Sequence, residues 1–297
     1  MPGQKCSIVA VDRLSGSKGL TWSSEDGSTC FLPTLTGENI RVQDVDVIWW
    51  RRSQTPNLDS TNGVPTEVTD EAARDLIVHD CRATLRGALL VEFRGQWVSH
   101  PESTRAAGNK LVQLAAARRA GFRIPQTLVS QDPSAIRRFV GHHEGDAVVK
   151  VVQGTKHTPL LTGRIQPSML REDDRLSLCP AIYQERIPGN RHLRVCCFGR
   201  SCYTAILESP ELDWRGARFK AEPYTLPAST QTKLLAVLRL LNLKMGIFDL
   251  KFHEHEREPV WLEVNPQGQF LFLEGLCGMP LSRAFAQFLT AQQHATR

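Results

Sequence analysis

Apolar and polar positions alternate most regularly in two short segments near the C-terminal end of the chain, at 245–251 and 260–266. Residues 254–258, which lie between them, include no apolar side chain. Alternation over a few residues is typical of half-buried strands, and a short polar segment between two such runs is typical of a turn. The pattern therefore predicts a β-hairpin.

The predicted hairpin brings two carboxylates together. Side chains on a strand point alternately to opposite faces, so Glu263 and Asn265 share one face, and symmetric closure of the hairpin places Asp249 opposite Glu263. Facing carboxylates destabilise a strand pair. Mg²⁺ would resolve the conflict because it takes oxygen ligands from carboxylates. The alternative is that Lys251 or a distant arginine neutralises the pair.

Other segments carry the periods of strands and helices. The predicted strands lie at 6–11, 45–50, 127–130, 147–152, 182–187, 192–198 and 201–208. The predicted helices lie at 67–93, at 104–120, from Pro133 onward, at 229–242 and at 280–293. For the first helix we expect a cap at Thr66 or Thr69. Its expected apolar stripe consists of Leu76, Cys81, Leu85 and Leu89.

The grouping of strands with helices at their edges predicts an α+β fold. We expect a short N-terminal α/β domain at 1–104, a central subdomain at 105–180 and a C-terminal subdomain at 181–297. The strands expected to be antiparallel neighbours in the last of these are 182–187, 192–198 and 201–208.

Composition narrows the class of protein. The chain has 297 residues and a formal net charge of +5, with its basic residues scattered along the sequence. This favours an acidic small molecule, a nucleotide or an acidic peptide over a long nucleic acid, which would require a concentrated basic stripe. The eight cysteines form no C-x-x-C pair, and we find no signal peptide or membrane-spanning run. We therefore expect free, mostly buried thiols, a cytoplasmic location and no membrane partner.

Lys150 lies in an apolar segment, between Val148 and Val152 on its own face. Its ammonium should be partly enclosed and should require an anion, unless the segment is an edge strand that leaves the lysine in water. The following loop contains Gly154, and its backbone N–H groups could close over phosphates.

Three further polar groups could meet a nucleotide. The hinge at 184–187 ends a predicted strand, where main-chain groups can read an adenine edge between apolar side chains. Arg194 and Arg215 carry guanidinium groups, which bind carboxylates or phosphates in a bidentate manner. An ordinary surface ion pair is the alternative for each arginine taken alone.

Taken together, these residues resemble the ATP-grasp superfamily of carboxylate ligases over about 45–289. The resemblance implies an ATP-grasp fold that holds a nucleotide between two α+β subdomains, with ATP and Mg²⁺ as cofactors. The implied nucleotide-binding residues are Lys110, Lys150, Gln153, Gly154, Thr155, Gln184, Glu185, Arg186, Ile187 and His192. The implied Mg²⁺ ligands are Asp249, Glu263 and Asn265, and the implied catalytic residues are Arg194 and Arg215.

A narrower resemblance is to the microviridin-type (graspetide) peptide maturases, which is carried by the segments 47–52, 213–215 and 262–270. The sequence also departs from the relatives. His192 stands where they usually carry an acidic residue. Lys156, His157 and Thr158 replace glycines of the phosphate loop, and Gly216 and Ala217 replace polar residues.

The resemblance implies an ATP-dependent ligase that acts through an acylphosphate and forms ester or amide bonds on acidic side chains of a peptide. One alternative is a ligase for free amino acids, or one that adds glutamate to a protein tail. The other is a nucleotide-binding regulatory protein without catalysis. The expected partners are a peptide or amino-acid substrate and a second copy of the chain in a homodimer.

Overall fold

The computed structural model describes residues 4–16, 19–25, 30–51, 64–152, 162–216, 219–253 and 258–293. Its helices are α1 Glu71–Glu92, α2 Pro101–Ala107, α3 Lys110–Arg119, α4 Pro133–His142, α5 Asp173–Leu176, α6 Ala228–Leu240, α7 Leu271–Cys277 and α8 Leu281–Gln293. Its strands are β1 Phe31–Pro33, β2 Asn39–Arg41, β3 Val47–Trp49, β4 Gln96–Val98, β5 Thr127–Ser130, β6 Ala147–Lys150, β7 Gly163–Arg164, β8 Ala181–Glu185, β9 Arg191–Phe198, β10 Ser201–Glu208, β11 Lys220–Tyr224, β12 Met245–Phe252 and β13 Pro259–Asn265.

The chain divides into two compact units, 1–97 with 289–297 and 98–288. The expected subdomain boundaries at 104/105 and 180/181 stay a prediction. No helix among the described residues is long and apolar enough to cross a membrane. All eight cysteines are free, as expected, but only three of them are buried.

In the first unit, α1 packs on the short strands through Leu85 and Leu89, which confirms part of the expected stripe. Leu76 is exposed, so its assignment to the stripe was wrong. The cap is Asp70, whose carboxylate accepts a hydrogen bond from the backbone N–H of Ala73 at 2.7 Å, and not a threonine. The segment 6–11 forms no strand, because its backbone pairs with no regular neighbour.

The predicted helix at 104–120 is broken in two. Gly108 ends α2, and the side chain of Asn109 accepts a hydrogen bond from the N–H of Leu111 at 2.9 Å. Asparagine is a strong N-cap because its side chain satisfies a free donor of the first turn. Lys110 is consequently the first residue of α3.

A four-stranded antiparallel sheet has the order β5-β8-β6-β7. It packs on α4 through a small core that includes Ile136 and Tyr183. The strand at 182–187 was expected beside β9, but β8 pairs with β5 and β6, so that expectation was wrong. Lys150 ends β6, which has a neighbour on each side, so the edge-strand alternative for Lys150 is also wrong.

A five-stranded sheet has the order β11-β10-β9-β12-β13. Leu193, Val195, Phe248 and Leu250 of this sheet join α3 and α6 in the main hydrophobic core. Because side chains alternate along strands, the residues between them on β9 and β12 face away from that core. The site described below is built on this second face.

Candidate active site

Asp249 and Glu263 pair directly across β12 and β13, as the alternating pattern predicted. The register then shifts, because Leu250 pairs with Trp261 and Leu262 is left as a bulge residue. Asp249 is only 8% exposed, and its Oδ1 atom has no hydrogen-bond partner in the described part of the chain. Burial raises the pKa of Asp249, and the guanidinium of Arg194 opposes the rise. The site therefore holds a buried carboxylate oxygen that is free to bind.

Arg194 lies opposite Asp249 on the neighbouring strand β9. Its Nη1 donates to Oδ2 of Asp249 at 2.6 Å, and its Nη2 donates to the carbonyl oxygen of Gln269 at 2.8 Å. Its guanidinium also lies over the ring of Trp214, 5.6 Å from the centroid. The alternative in which a distant arginine neutralises the carboxylates is therefore met in part, because Arg194 binds only one of the two oxygens of Asp249.

Lys110 bridges the two sheets at the other carboxylate. Its ammonium lies 4.0 Å from Oε2 of Glu263 and 3.4 Å from the carbonyl oxygen of Val151, just beyond β6. Both side chains of the Lys110–Glu263 pair are partly exposed. Because Lys110 is the first residue of α3, its ammonium lies between the end of β6 and the carboxylates of Asp249 and Glu263.

Lys150 completes a cationic group around Glu263. Burial lowers the pKa of Lys150 to about 8, and the charge of Glu263 opposes this shift. Lys110 and Arg215 lower the pKa of Lys150 further. The charges of Glu263, Lys110 and Arg215 thus all act on the Lys150 ammonium.

Arg215 is held by its own near neighbour. Its Nε and Nη2 donate to the two carboxylate oxygens of Asp213 at 2.8 and 2.5 Å. This pairing raises the pKa of Arg215, and the charges of Glu263 and Asp249 raise it too. The Arg215 side chain is 53% exposed, whereas that of Asp213 is 9% exposed. The mostly buried carboxylate of Asp213 thus orients an exposed guanidinium.

The hinge side chains are engaged within the four-stranded sheet. Gln184 donates to the hydroxyl of Thr127 at 2.9 Å, and Glu185 accepts from Arg123 at 2.7 Å. The guanidinium of Arg186 binds the carboxylate of Asp146 at 2.5 and 2.7 Å. Ile187 is buried. These bonds fix the hinge side chains, and the backbone N–H groups of Glu185 and Arg186 donate to the carbonyl oxygens of Gln126 and Asp146 at 2.9 and 3.4 Å.

His192 and Lys251 face each other across β9 and β12. The pKa of His192 is lowered to about 4, mainly by burial and to a smaller extent by the charge of Lys251. The pKa of Lys251 is lowered to about 8, mainly by burial and to a smaller extent by the guanidinium groups of Arg186 and Arg164. The imidazole is therefore neutral at neutral pH.

The expected Mg²⁺ ligands have suitable chemistry. Asp249 offers its unpartnered oxygen, Glu263 offers a partly exposed carboxylate, and Asn265 is exposed at the end of β13, where its Oδ1 accepts from the N–H of Gln267 at 3.0 Å. Hard cations take such oxygen ligands. The described residues contain no metal-binding group of three or more His, Cys, Asp or Glu side chains; the expected set has two carboxylates and an amide.

Part of the predicted site lies outside the described residues, namely Gln153, Gly154 and Thr155 of the phosphate loop. The substituted positions Lys156, His157, Thr158 and Ala217 lie outside them as well. The predicted residues that the structure brings together are Lys110, Lys150, Arg194, Arg215, Asp249 and Glu263.

Sequence reasoning missed three contributors. Asp213 was seen only as part of a motif, although a carboxylate two residues before an arginine is a signal for a local ion pair. Gln269 acts through its carbonyl oxygen, which no sequence pattern reveals. Lys251 was one of two alternative neutralisers of the carboxylates, beside a distant arginine; the side chains that contact them are Arg194 and Lys110.

Comparisons with known proteins found no matching family model and no match among curated proteins. Solved structures do match. The macrocyclase MdnC of Microcystis aeruginosa MRC, bound with precursor peptide MdnA, is 27% identical with a TM-score of 0.79, covering 92% of this chain and 86% of that one. The macrocyclase MdnB of the same organism is 29% identical with a TM-score of 0.71, covering 89% and 83%.

Two other solved structures show the fold alone. A RiPP-associated ATP-grasp ligase of Chryseobacterium gregarium, in complex with ADP and a leader and core peptide, is 24% identical with a TM-score of 0.77, covering 92% of this chain and 84% of that chain. D-alanine–D-alanine ligase of Bacillus anthracis, complexed with ATP, is 14% identical with a TM-score of 0.51, covering 71% and 74%. These likenesses confirm the expected ATP-grasp fold and the expected resemblance to peptide-modifying ATP-grasp ligases.

Proposed function

We propose that this chain, which has the ATP-grasp fold, is an ATP-dependent carboxylate ligase that forms ester or amide bonds on acidic side chains of a peptide. The observation that carries the proposal is the arrangement around Asp249. Among the described residues, the buried Oδ1 of Asp249 has no hydrogen-bond partner and its carboxylate lies opposite Glu263; Lys110 lies 4.0 Å from Glu263, and the charge of Glu263 acts on Lys150 and Arg215. Such a site suits a polyphosphate with a hard cation better than a purely structural ion pair, which would leave no oxygen free.

Asp249, Glu263 and Asn265 would hold Mg²⁺, which when bound supplies positive charge to the phosphates. Lys110 and Lys150 would bind the phosphate oxygens. Lys150 lies opposite Ile182 of β8 and Lys110 begins α3, so two different elements supply the cations for the phosphates.

Arg215 would neutralise the phosphoryl group as it transfers. Its guanidinium is exposed and anchored by Asp213, so it is already oriented before a ligand arrives. Preorganised charge of this kind lowers the barrier because little reorganisation remains at the moment of reaction. Arg194 remains a candidate second cation for the oxyanion, and its bond to Asp249 also gives it a positioning role.

The proposed reaction has two steps. A carboxylate oxygen of the peptide takes the γ-phosphoryl group of ATP, and ADP leaves. A hydroxyl or amine then attacks the acyl carbon of the acylphosphate, loses its proton, and expels phosphate. Within one peptide the net change is the loss of one water, whereas joining two molecules would add the mass of the acceptor less one water.

This difference gives the test. ADP release with Mg²⁺ is measured against a pool of acidic peptides and a pool of free amino acids, and product masses are recorded in the same samples. The proposal predicts stimulation by peptides that lose water. Stimulation only by free amino acids with a gain of mass would replace it with the amino-acid ligase, and nucleotide binding without any turnover would replace it with the regulatory protein.

Two further expectations belong to the proposal. A homodimer is expected and is tested by the solution mass of the chain at several concentrations. A cytoplasmic location is expected and is tested by cell fractionation.

A further inference from the structure

Cys197 and Cys202 form a pair of thiols across β9 and β10. They pair directly in the register of the two strands, one pair away from the turn at Gly199 and Arg200. Both cysteines are free, and their Sγ atoms lie 2.6 Å apart. A disulfide bond holds its two sulfurs about 2.05 Å apart, so a movement of about half an ångström would join these thiols.

The backbone of the hairpin suits a disulfide at this pair. Gly199 has a φ of +59°, which glycine readily supplies in a two-residue hairpin turn, and the turn closes on the pair Phe198–Ser201. The closing pair of such a turn is hydrogen-bonded, and pairs alternate along an antiparallel ladder. Cys197 and Cys202 therefore form a non-hydrogen-bonded pair, in which Cα atoms lie about 4.5 Å apart. Disulfides span Cα separations of about 4.4–6.8 Å.

Both thiols lie on the face of the sheet that packs into the main core. Cys197 is fully buried, and Cys202 is partly buried against the same core. Arg194 points to the opposite face, since side chains alternate along β9. The thiol pair is therefore separate from the candidate active site, and its chemistry is independent of the proposed ligase reaction.

The two thiols differ in acidity. Burial, and then the hydrogen bond with Cys202, raises the pKa of Cys197. The same hydrogen bond lowers the pKa of Cys202, although burial opposes the change. Cys197 is thus the S–H donor of the pair. Because the thiolate is the nucleophile in thiol–disulfide exchange, the more acidic and more accessible Cys202 is suited to attack, and Cys197 is placed to complete the exchange.

We infer that Cys197 and Cys202 are a reversible oxidation site that takes a small-molecule disulfide as its oxidant. The Cys202 thiolate attacks one sulfur of that disulfide, whose S–S bond breaks, and one half leaves as a thiol with the proton that Cys202 gave up. The sulfur of Cys197 then loses its proton and attacks the Cys202 sulfur of the mixed disulfide, which expels the second half as a thiol. The protein gains one S–S bond, and its two thiol hydrogens leave on the two small thiols. The new bond ties β9 to β10 without adding a group to the face that carries Arg194.

Peptide mapping of the oxidised chain tests the inference. The folded wild-type protein is equilibrated with mixtures of oxidised and reduced glutathione, the remaining thiols are blocked with N-ethylmaleimide, and chains that run as monomers on a non-reducing gel are digested with trypsin. Cleavage after Arg194, Arg200 and Arg215 yields the peptides 195–200 and 201–215, which separate the two cysteines. We expect these peptides to be joined, at a mass lower than their sum by two hydrogen atoms.

The same titration is repeated on the chain unfolded in urea. The strand register holds the two thiols together only in the folded chain, and reacting groups that are held in place react as if at a much higher concentration. The folded chain should therefore become half oxidised at an about tenfold lower proportion of oxidised glutathione. Half-oxidation of the folded and the unfolded chain at the same proportion would overturn the inference.

Single variants identify the bonded pair, because peptide 195–200 also contains Cys196. Cys196→Ala should keep the joined peptides, whereas Cys197→Ala and Cys202→Ala should each abolish them. Cys202 is only partly buried, so Cys202→Ala should fold even if the fully buried Cys197→Ala does not. Cys179→Ala removes an exposed thiol and is the control that should change nothing. Separate, fully blocked peptides from folded wild-type chains that carry glutathione on Cys179 would overturn the inference, as would joined peptides in Cys202→Ala.

Discussion

Arg194 and Asp249 face each other on adjacent strands, with Nη1 of the arginine 2.6 Å from Oδ2 of the aspartate. Both side chains are almost fully buried. The bond satisfies one oxygen of Asp249 and leaves Oδ1 without a partner in the described structure. A single ion pair thus both holds the carboxylate in place and leaves it able to bind a cation.

Removing Arg194 should destabilise the fold strongly. In Arg194→Met, Asp249 would stay buried without its partner, and breaking a buried pair in this way costs about 3–5 kcal/mol. The free energy of unfolding in urea measures the effect. Arg175→Met, which breaks the exposed pair with Glu172, is the control and should cost about 1 kcal/mol or less. Equal losses in the two variants would contradict the importance assigned to the buried pair.

Removing Arg215 should leave the fold and reduce turnover. Its own side chain is half exposed, but its removal leaves the mostly buried carboxylate of Asp213 without these two hydrogen bonds, so the urea midpoint should fall somewhat. Loss of one preorganised donor to a developing charge costs about 10²–10³-fold in rate. Arg215→Met should therefore stay folded without urea while peptide-stimulated ADP release falls. A wild-type rate would remove Arg215 from the proposed site.

Nucleotide affinity should weaken as the pH rises through about 8. Burial places the pKa of Lys150 near 8 in the folded chain, below its ordinary value of 10.5, so Lys150 carries charge below that pH and loses it above. Dissociation constants of ADP from pH 6 to 10 measure the effect. Arginine stays charged throughout this range, so Lys150→Arg should remove this part of the profile. Lys251 titrates in the same range, and the comparison isolates Lys150. Superimposable profiles would contradict the prediction.

The lowered pKa of Lys150 should also make the stability of the fold depend on pH. Between about pH 8 and 10.5 the unfolded chain binds more protons at Lys150 than the folded chain. The free energy of unfolding contributed by this group therefore rises with pH across that window. In Lys150→Met this pH-dependent contribution should be absent. Urea midpoints of both proteins, measured below pH 8 and above pH 10.5, test the difference. A Lys150→Met variant that keeps the full wild-type pH response would contradict this account of Lys150.

Gly268 is required by the turn that follows Asn265. A Cβ atom at this position would lie 2.7 Å from Cβ of Ile247 on β12, closer than side chains approach. Gly268→Ala should therefore destabilise the fold by about 1–3 kcal/mol, as overpacking does. Gly275→Ala is the control, because its Cβ meets no atom within 4 Å and lies in α7, where alanine is favoured. Urea unfolding of both variants tests the difference, and equal stability would contradict the close approach.

The hairpin of β12 and β13 could be predicted because alternation and a polar turn are local signals. The pairing of Asp249 with Glu263 followed from them, although the bulge at Leu262 did not. The pairing of Asp249 with Arg194 could not be predicted, since it depends on the register between strands 55 residues apart in sequence. The position of Lys251 opposite His192 depends on the same long-range register.

Errors in the fold have similar causes. The segment 181–185 has the composition of a strand, but which sheet it joins is decided by tertiary packing, and β8 joined β5 and β6. The break between α2 and α3 carried a local signal in Gly108 and Asn109 that the longer helical period obscured. The short strand β11 and helix α7 have too few residues for a clear period.

The proposed ligase activity is tested most directly by measuring ADP release with Mg²⁺ and an acidic precursor peptide. The wild-type chain is compared with Asp249→Asn, and the mass of the peptide is followed in the same reaction. The exposed carboxylate of Glu222 on β11 provides the control variant Glu222→Gln. We expect the wild type and Glu222→Gln to release ADP as the peptide loses water, and we expect Asp249→Asn to be folded and to lose most of both. Near-normal ADP release by Asp249→Asn would contradict it.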